Sequence, residues 1–287
     1  MTNILVTGAK GQLGSEFVEL ASIYRYNFYF TDRETLDITS DDALRNFIEV
    51  NSITTIINCA AYTAVDKAEE DSKTADEINH LAVKNLALVA KEKEITLIHI
   101  STDYVFDGKN FRPYIETDVT NPNGVYGKTK CDGEQALQKI NPKNAIIIRT
   151  SWVYSSYGNN FVKTMLRLGK DKEKLGVIFD QVGTPTYAAD LAKAILDILP
   201  KIDNSDVEIF HYSNEGVLSW YDFAKEIMKM AKIPCQINPI ETKEYPTPAI
   251  RPHYSLLNKA KIKSTYSITI PFWKDSLDTC LRKMGER

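Results

Sequence analysis

Two kinds of hydrophobic pattern alternate along the first 150 residues of the chain. Short runs of consecutive apolar residues, typical of buried strands, are followed by segments whose apolar residues recur three or four positions apart, as on one face of a helix. The predicted strands cover 3–7, 27–31, 54–59, 95–101 and 144–150. The predicted helices cover 11–22, 40–50 and 74–93, and a further helix begins near Tyr126. Strands that are apolar throughout favour a parallel sheet covered on both faces, so the alternation predicts an α/β fold with a doubly wound parallel sheet of Rossmann type.

The pattern is less regular after residue 150. It predicts helices at 160–169, 188–199 and 219–231, strands at 175–179 and 208–213, and a proline-rich irregular segment at 239–256. Ser219 is the expected N-cap of its helix, and Pro271 could open a last helix. We therefore expect a Rossmann-type domain over 1–150, completed by about 175–205. A smaller C-terminal substrate-binding lobe would comprise 151–174 and 206–287.

The composition is that of an ordinary globular protein. Of the 287 residues, 43% are hydrophobic and 25% charged, and the net charge of −3 gives no general attraction to nucleic acid or to a membrane. Cys59, Cys131, Cys235 and Cys280 lie far apart, which argues against a disulfide framework or a zinc site. The sequence begins without an export signal, and no run approaches the roughly 18 apolar residues of a membrane span. The expected location is the cytoplasm.

A glycine-rich segment, TGAKGQLG, follows the first strand and opens the first helix. Gly8, Gly11 and Gly14 would let backbone approach a pyrophosphate closely, and the helix N-terminus offers free N–H groups. The alternative is a tight strand–helix turn without a ligand. Asp32, at the end of the second strand, is placed to hold an adenosine ribose, whereas Arg33 could meet a 2′-phosphate, so the sequence leaves NADH and NADPH both open. Asp37 could reach the adenine side or simply stabilise a turn.

Two further segments follow strands of the predicted sheet. In NCAAYTAVDKAE, the small residues Ala60 and Ala61 would let a flat cofactor lie against the backbone, although tight helix–sheet packing explains them equally well. In STDYVFDG, a hydroxyl at the strand end could touch a reacting oxygen. Ser101 and Thr102 alternate in direction, so we expect only one of them to face the site.

The segment VYGKTK places Tyr126 and Lys130 four residues apart, on one face of a helix. Free tyrosine has a pKa of about 10, and a nearby lysine cation would favour the phenolate and bring that pKa toward neutrality. An accidental surface pair is the competing interpretation. The preceding glycine segment and strand-end hydroxyl favour a proton-transfer role.

Taken in order, these segments resemble the extended short-chain dehydrogenase/reductase family. Later segments narrow the resemblance to its dTDP-4-dehydrorhamnose reductase branch, over roughly residues 3 to 285. The matching segments are GQLG, LDIT, NCAAYTAVDKAE, STDYVFDG, VYGKTK, RTSWVY, GNNFVKTMLRL and YPTPAIRPHYSLL.

The resemblance implies a role for each matching residue. Tyr126 would be the proton donor, Lys130 its tuner and a ribose ligand, and Thr102 a hydrogen-bonding helper at the substrate oxygen. The implied cofactor-binding residues also include Gly8, Gly11, Gln12, Leu13, Gly14, Asp32, Asp37, Ile38, Ala60, Ala61, Tyr62 and Thr63. The implied substrate-binding residues are Thr102, Asp103, Tyr104, Trp152 and Arg251, the last a candidate for an anionic diphosphate or for a surface salt bridge.

The activity that the resemblance implies is NAD(P)H-dependent reduction of the C4 ketone of dTDP-4-dehydro-L-rhamnose, which supplies rhamnose for cell-surface polysaccharide. Two alternatives stay open at this point. One is a nucleotide-sugar epimerase of the same superfamily, and the other is a non-catalytic nucleotide-binding subunit like the methionine adenosyltransferase regulatory subunit. Some relatives are magnesium-linked homodimers. Glu16 and Asp190 match their acidic residues only in part, so a Mg²⁺ site and a homodimer are open as well.

Overall fold

The computed structural model describes residues 2–287, and its strands fall into one large sheet and three small ones. The strands are β1 (Asn3–Thr7), β2 (Asn27–Thr31), β3 (Thr55–Asn58), β4 (Thr96–Thr102), β5 (Ala145–Thr150), β6 (Val153–Tyr154), β7 (Lys174–Ile178), β8 (Val182–Gly183), β9 (Thr186–Tyr187), β10 (Glu208–His211), β11 (Leu218–Ser219) and β12 (Gln236–Ile240). Over residues 2–287 the large sheet has six strands in the order β10-β5-β4-β3-β1-β2, and all its neighbours run parallel.

The helices cover both faces of this sheet and build the smaller lobe. They are α1 (Gln12–Leu20), α2 (Asp41–Val50), α3 (Val65–Ala68), α4 (Ser72–Asp76), α5 (Ala82–Lys93), α6 (Val125–Ile140), α7 (Phe161–Asp171), α8 (Ala188–Ile198), α9 (Trp220–Met230), α10 (Ala260–Tyr266) and α11 (Trp273–Lys283). A π-helical turn, Glu77–Leu81, joins α4 to α5. Within residues 2–287, none of these helices combines the length and the apolar character that a membrane crossing requires.

The large sheet forms because its strands are apolar on both faces. All six residues of β5 are buried, and one core packs the sheet against α1 and α8 while a second packs it against α2 and α5. Burial of apolar side chains on both faces is the expected stabilisation of a parallel sheet. The predicted doubly wound fold is confirmed. The carboxyl ends of the strands lie at one edge, where ligands bind in such sheets.

Two strands belong to a different lobe from the one that the sequence predicted for them. The segment Glu208–His211, assigned to the substrate lobe, is β10 and pairs with β5 in the large sheet. The segment near 175, assigned to the completed Rossmann domain, is β7 and pairs with β12. The core around β7 is shared with α7, α9 and α11. Strand partners are chosen by tertiary packing, which an isolated apolar run does not reveal.

Two helix starts test the capping predictions. Ser219 is the N-cap of α9 and forms a capping box with Asp222, as predicted for its position. The expectation for Pro271 was wrong, because Phe272 is the N-cap of α11 and Pro271 precedes it. The carbonyl of Pro271 instead accepts a hydrogen bond from the backbone N–H of Glu215.

Candidate active site

A cavity of about 1060 Å³ runs along the carboxyl ends of the sheet strands, between the sheet and the smaller lobe. Nearly all of the candidate site residues predicted from the sequence line this cavity. Those lining it are Gly8, Gly11, Gln12, Leu13, Gly14, Asp32, Asp37, Ile38, Ala60, Ala61, Thr63, Thr102, Asp103, Tyr104, Tyr126, Lys130, Trp152 and Arg251. Tyr62 does not line it, because its hydroxyl turns away to Asp71 at 3.3 Å.

The glycine turn is shaped for close contact with a ligand. Gly8 has a φ of +67°, and a Cβ there would lie 2.8 Å from the backbone nitrogen of Ala60. A Cβ on Gly14 would lie 2.3 Å from the Gly8 carbonyl oxygen. The N-cap of α1, Gly11, has no side chain to accept from the first-turn N–H groups, so these donors face the cavity. The residues therefore fit the diphosphate of a dinucleotide.

The end of the cavity beside β2 carries an ion pair that sequence reasoning missed. Lys10 Nζ lies 2.5 Å from Asp32 Oδ2 and 2.9 Å from Glu34 Oε2. The Lys10 ammonium and the N–H groups of the turn hold the pKa of Asp32 at about 2. Arg33 also lines the cavity. Asp37 accepts hydrogen bonds from Thr39, so it stabilises a turn while lining the wall.

Tyr126 is buried, and its pKa moves in the direction opposite to the expectation. Burial disfavours the phenolate and raises the pKa of Tyr126 to about 12, with the Asp103 carboxylate adding to the effect and the Thr102 hydroxyl opposing it. Lys130 does not lower this pKa, because its ammonium points elsewhere: Nζ donates to the Ile100 carbonyl at 2.6 Å. The expected lysine-tuned phenolate is therefore wrong for this structure.

Lys130 is itself buried, with 2% of its surface exposed. Burial lowers the pKa of Lys130 to about 8, and the negative charge of Glu134 opposes this shift. Its ammonium thus loses a proton far more readily than that of an exposed lysine.

Both hydroxyls at the end of β4 line the cavity, contrary to the expectation that only one would. Thr102 donates to Asp103 Oδ1 at 3.0 Å and accepts from the Tyr104 backbone N–H at 3.2 Å. Among the residues that the structure describes, Ser101 Oγ and Asp103 Oδ2 are buried without a hydrogen-bond partner. Burial raises the pKa of Asp103 to about 7. These atoms are available to a polar ligand.

The far end of the cavity is aromatic. Trp152 and Trp220 stack with ring centroids 3.6 Å apart, and Phe161 packs on Trp220 at 4.6 Å. All three side chains line the cavity. Sequence reasoning missed Trp220 and Phe161 because both belong to amphipathic helices, where an aromatic residue is more often part of the core.

Arg251 forms a two-point ion pair with Asp66 across the cavity. Nη1 donates to Oδ1 at 3.0 Å, Nη2 donates to Oδ2 at 2.8 Å, and Nη1 also reaches the Ala249 carbonyl. A guanidinium has five N–H donors, so within the described chain Nε–H and one Nη2–H are left for a ligand. The salt bridge that competed with ligand binding in the sequence analysis is present, but Arg251 still lines the cavity.

The acidic residues considered for Mg²⁺ do not fit a shared metal site. Glu16 is bonded to Lys283 Nζ at 2.9 Å and Ser155 Oγ at 2.6 Å, so an ammonium already compensates it. Asp190 accepts instead from Asn214 and Ser276. Glu16 is thus paired with an ammonium and Asp190 with neutral donors, and among the described residues neither belongs to a cluster of possible metal ligands, so no step of the mechanism is assigned to a metal.

Comparison with known proteins identifies the family. The family model described as the RmlD substrate binding domain matches residues 1–286. A dTDP-4-dehydrorhamnose reductase from Aggregatibacter actinomycetemcomitans is 42% identical, over 96% of this chain and 97% of that protein. The chain belongs to the dTDP-4-dehydrorhamnose reductase family. As a member of this family, it is an NAD(P)-dependent oxidoreductase.

Two other relatives bear on the cofactor and the sugar. The crystal structure of the Bacillus anthracis dTDP-4-dehydrorhamnose reductase, in complex with NADP, matches with a TM-score of 0.93 and 37% identity over 99% of this chain and 100% of that one. A dTDP-4-keto-6-deoxy-D-glucose reductase from Streptomyces niveus is 35% identical over 95% of this chain and 94% of that protein.

Proposed function

We propose that the protein reduces the C4 ketone of dTDP-4-dehydro-L-rhamnose to give dTDP-L-rhamnose, with NADPH or NADH as reductant. The product would supply rhamnose for cell-surface polysaccharide. One observation carries the proposal: Thr102, Tyr126 and Lys130 line the same cavity as a glycine turn that fits a dinucleotide. The membership of the chain in a family of reductases with this specificity supports the choice of substrate.

A bound reduced nicotinamide supplies the hydride. At the other end of that cofactor, the free N–H groups of α1 would hold the diphosphate and Asp32 would face the adenosine ribose. Lys130 and the small residues Ala60 and Ala61 complete the groove.

Tyr126 donates the proton that the reduced oxygen needs. A phenol with a pKa of about 12 stays protonated at neutral pH, and an alkoxide is basic enough to take its proton. The Thr102 hydroxyl lies beside Tyr126, and by turning its O–H from Asp103 it would donate to the same oxygen and fix its position. Proton transfer by a positioned side chain contributes typically ~10²–10⁴-fold to rate.

The sugar nucleotide occupies the aromatic and cationic end. Trp152 and Tyr104 offer flat faces, and the unpartnered Asp103 Oδ2 accepts from a sugar hydroxyl or, once protonated, donates to it. Arg251 presents its remaining N–H pair to the diphosphate, a geometry that suits phosphate oxygens.

The proposal is tested by NAD(P)H oxidation with purified protein and a panel of nucleotide 4-keto sugars. Activity confined to dTDP-4-dehydro-L-rhamnose supports it. Activity only with dTDP-4-keto-6-deoxy-D-glucose would replace the substrate, and no oxidation with any sugar would favour a non-catalytic nucleotide-binding protein.

The role of Tyr126 is tested by Tyr126→Phe, which removes one oxygen and keeps the ring. We expect kcat to fall by about 10²-fold or more, with cofactor Kd and Tm near wild type. Tyr114→Phe is the matched control, because Tyr114 is a buried tyrosine outside the cavity whose hydroxyl bonds Asp107. Turnover of Tyr126→Phe within about twofold of this control contradicts the mechanism.

The site of action and the assembly are also part of the proposal. The four free cysteines are typical of a reducing compartment, which supports action in the cytoplasm. A homodimer is proposed from the family resemblance alone, and light scattering of the purified chain, with and without Mg²⁺, tests it.

A further inference from the structure

A row of buried polar side chains lies behind Lys130, and the proposed mechanism does not use it. Asn58, at the end of β3, and His99, in β4, are both fully buried. Asn58 Nδ2 lies 3.0 Å from His99 Nδ1, and His99 Nε2 lies 3.4 Å from Lys130 Nζ. Buried polar groups are costly unless they are paired, so the direction of these hydrogen bonds matters.

The backbone fixes the orientation of Asn58. Its Oδ1 accepts from the Thr7 hydroxyl at 2.6 Å and from the Ala60 backbone N–H at 3.2 Å. A backbone N–H can only donate, so the atom facing Ala60 must be the carbonyl oxygen. The amide nitrogen of Asn58 then faces His99 and donates to it.

The orientation of Asn58 fixes the proton of His99. Because Nδ1 accepts a hydrogen bond, the single proton of a neutral imidazole must lie on Nε2. The ring is neutral because its burial holds the pKa of His99 well below its usual value. An N–H donor therefore points at Lys130.

Lys130 can accept that hydrogen bond only as an amine. An ammonium has three donors and no lone pair, so it would set N–H against N–H at His99, whereas an amine accepts from Nε2–H and still donates to Ile100. The other ionisable groups facing Lys130 are Glu134, whose negative charge favours the ammonium, and Cys59, whose thiol stays neutral because burial raises its pKa. Glu134 is in turn neutralised by Arg149 at 2.6 Å.

We infer that Asn58 and His99 are positioning residues, which orient Lys130 through a one-way row of hydrogen bonds and stabilise its uncharged amine. The inference rests on the proposed function in one respect: the amine is the form left when Tyr126, having protonated the substrate, regains a proton from Lys130 through an intervening water, since Lys130 Nζ faces Ile100 and His99 and does not contact Tyr126. Water then returns a proton to the amine, so the protons balance over a turnover.

The tautomer of His99 tests the row directly, without turnover. The chain has four histidines, so ¹⁵N-detected imidazole spectra can be assigned with His99→Gln as the reference. We expect His99 to be neutral, protonated on Nε2 and bare on Nδ1, between about pH 6 and 9. A proton on Nδ1, or a charged ring at pH 7, would overturn the inference whether or not the protein proves to be this reductase.

The pH profile of kcat/KM tests the consequence for Lys130. In His99→Leu the opposing N–H is gone, so the alkaline limb should move up by about half a pH unit or more. His211→Leu is the control, because His211 is another fully buried imidazole and does not line the cavity. A limb that moves equally in both variants, or in neither, would overturn the inference. If His99→Leu does not fold, Asn58→Leu, which frees His99 to change tautomer, should move the limb in the same direction.

Discussion

At the scale of single residues, the cofactor end of the cavity balances opposite charges. Asp32 would repel the 2′-phosphate of NADPH, and both Arg33 and Lys10 would attract it. Asp32 and Arg33 are neighbours in the sequence. Lys10 belongs to the glycine turn and contacts Asp32 only in the folded chain. Asp66 was missed for the same reason, since its partner Arg251 lies far away along the chain.

The preference between cofactors should depend on Lys10. We expect the wild-type kcat/KM values for NADPH and NADH to lie within about tenfold of each other. Lys10→Met should lower the NADPH value relative to NADH by about tenfold, because Asp32 then faces the phosphate without its counter-charge. Lys84→Met, an exposed change on α5, is the control. An unchanged ratio of the two values in Lys10→Met would show that Arg33 alone sets the preference.

Asp103 should make stability depend on pH. Burial raises its pKa from 3.8 to about 7, so the folded chain binds this proton more tightly than the unfolded chain does. The contribution of Asp103 to the free energy of unfolding is thus greatest below pH 4 and is lost as the pH rises toward 7. Urea unfolding of the wild type and of Asp103→Asn at pH 4, 5.5 and 7 measures it. We expect wild type to lose stability relative to the variant along this series, and parallel curves would contradict the assignment.

At the scale of elements, the sequence predicts the Rossmann half well because each strand there is a run of apolar residues. The five strands from β1 to β5 lie within about one residue of their predicted ends. The partners of β7 and β10 could not be predicted, because pairing depends on long-range packing. Likewise, the sequence located the cavity residues but not the direction of Lys130, since a spacing of four fixes a helix face and leaves a flexible side chain undetermined.

One buried ion pair fastens β5 to α6, the helix that carries Tyr126 and Lys130. Arg149 and Glu134 are almost fully buried and joined by three hydrogen bonds, the shortest 2.6 Å. Arg149→Met should lower the free energy of unfolding by about 3–5 kcal/mol, because it leaves the buried Glu134 carboxylate without a counter-charge. The double variant Arg149→Met/Glu134→Leu should recover most of the loss.

Urea unfolding of both variants, beside Lys193→Met, measures this effect. Lys193 and Asp197 form an exposed pair on α8, so their loss should cost under ~1 kcal/mol. A double variant no more stable than Arg149→Met would mean that lost packing, and not the unpaired Glu134 carboxylate, causes the loss of stability.

At the scale of the whole molecule, ion pairs join the C-terminal third to the Rossmann half. Arg251 meets Asp66 beside the cavity, and Lys283 on α11 meets Glu16 on α1. Each pair brings together positions that are far apart in sequence. Folding of the C-terminal segment is therefore coupled to the geometry of the site.

Arg251→Lys should weaken nucleotide-sugar binding while leaving the cofactor end intact. Lysine offers a point charge in place of a planar fork, so it cannot satisfy Asp66 and a diphosphate together. We expect the Kd for dTDP, measured by calorimetry, to rise by about tenfold or more, with the Kd for NADPH unchanged. Arg282→Lys, on the exposed side of α11, is the control. Equal weakening of both ligands would mean that Arg251 holds the two lobes together and does not bind the diphosphate.

The position of β10 at the edge of the large sheet has a consequence for synthesis on the ribosome. β5 ends at Thr150, yet the strand that covers its outer edge is not complete until His211. Until then a nascent chain exposes a row of unpaired backbone N–H and C=O groups along an apolar strand, the kind of edge to which other chains add. Premature release between these two residues would therefore yield fragments prone to aggregation.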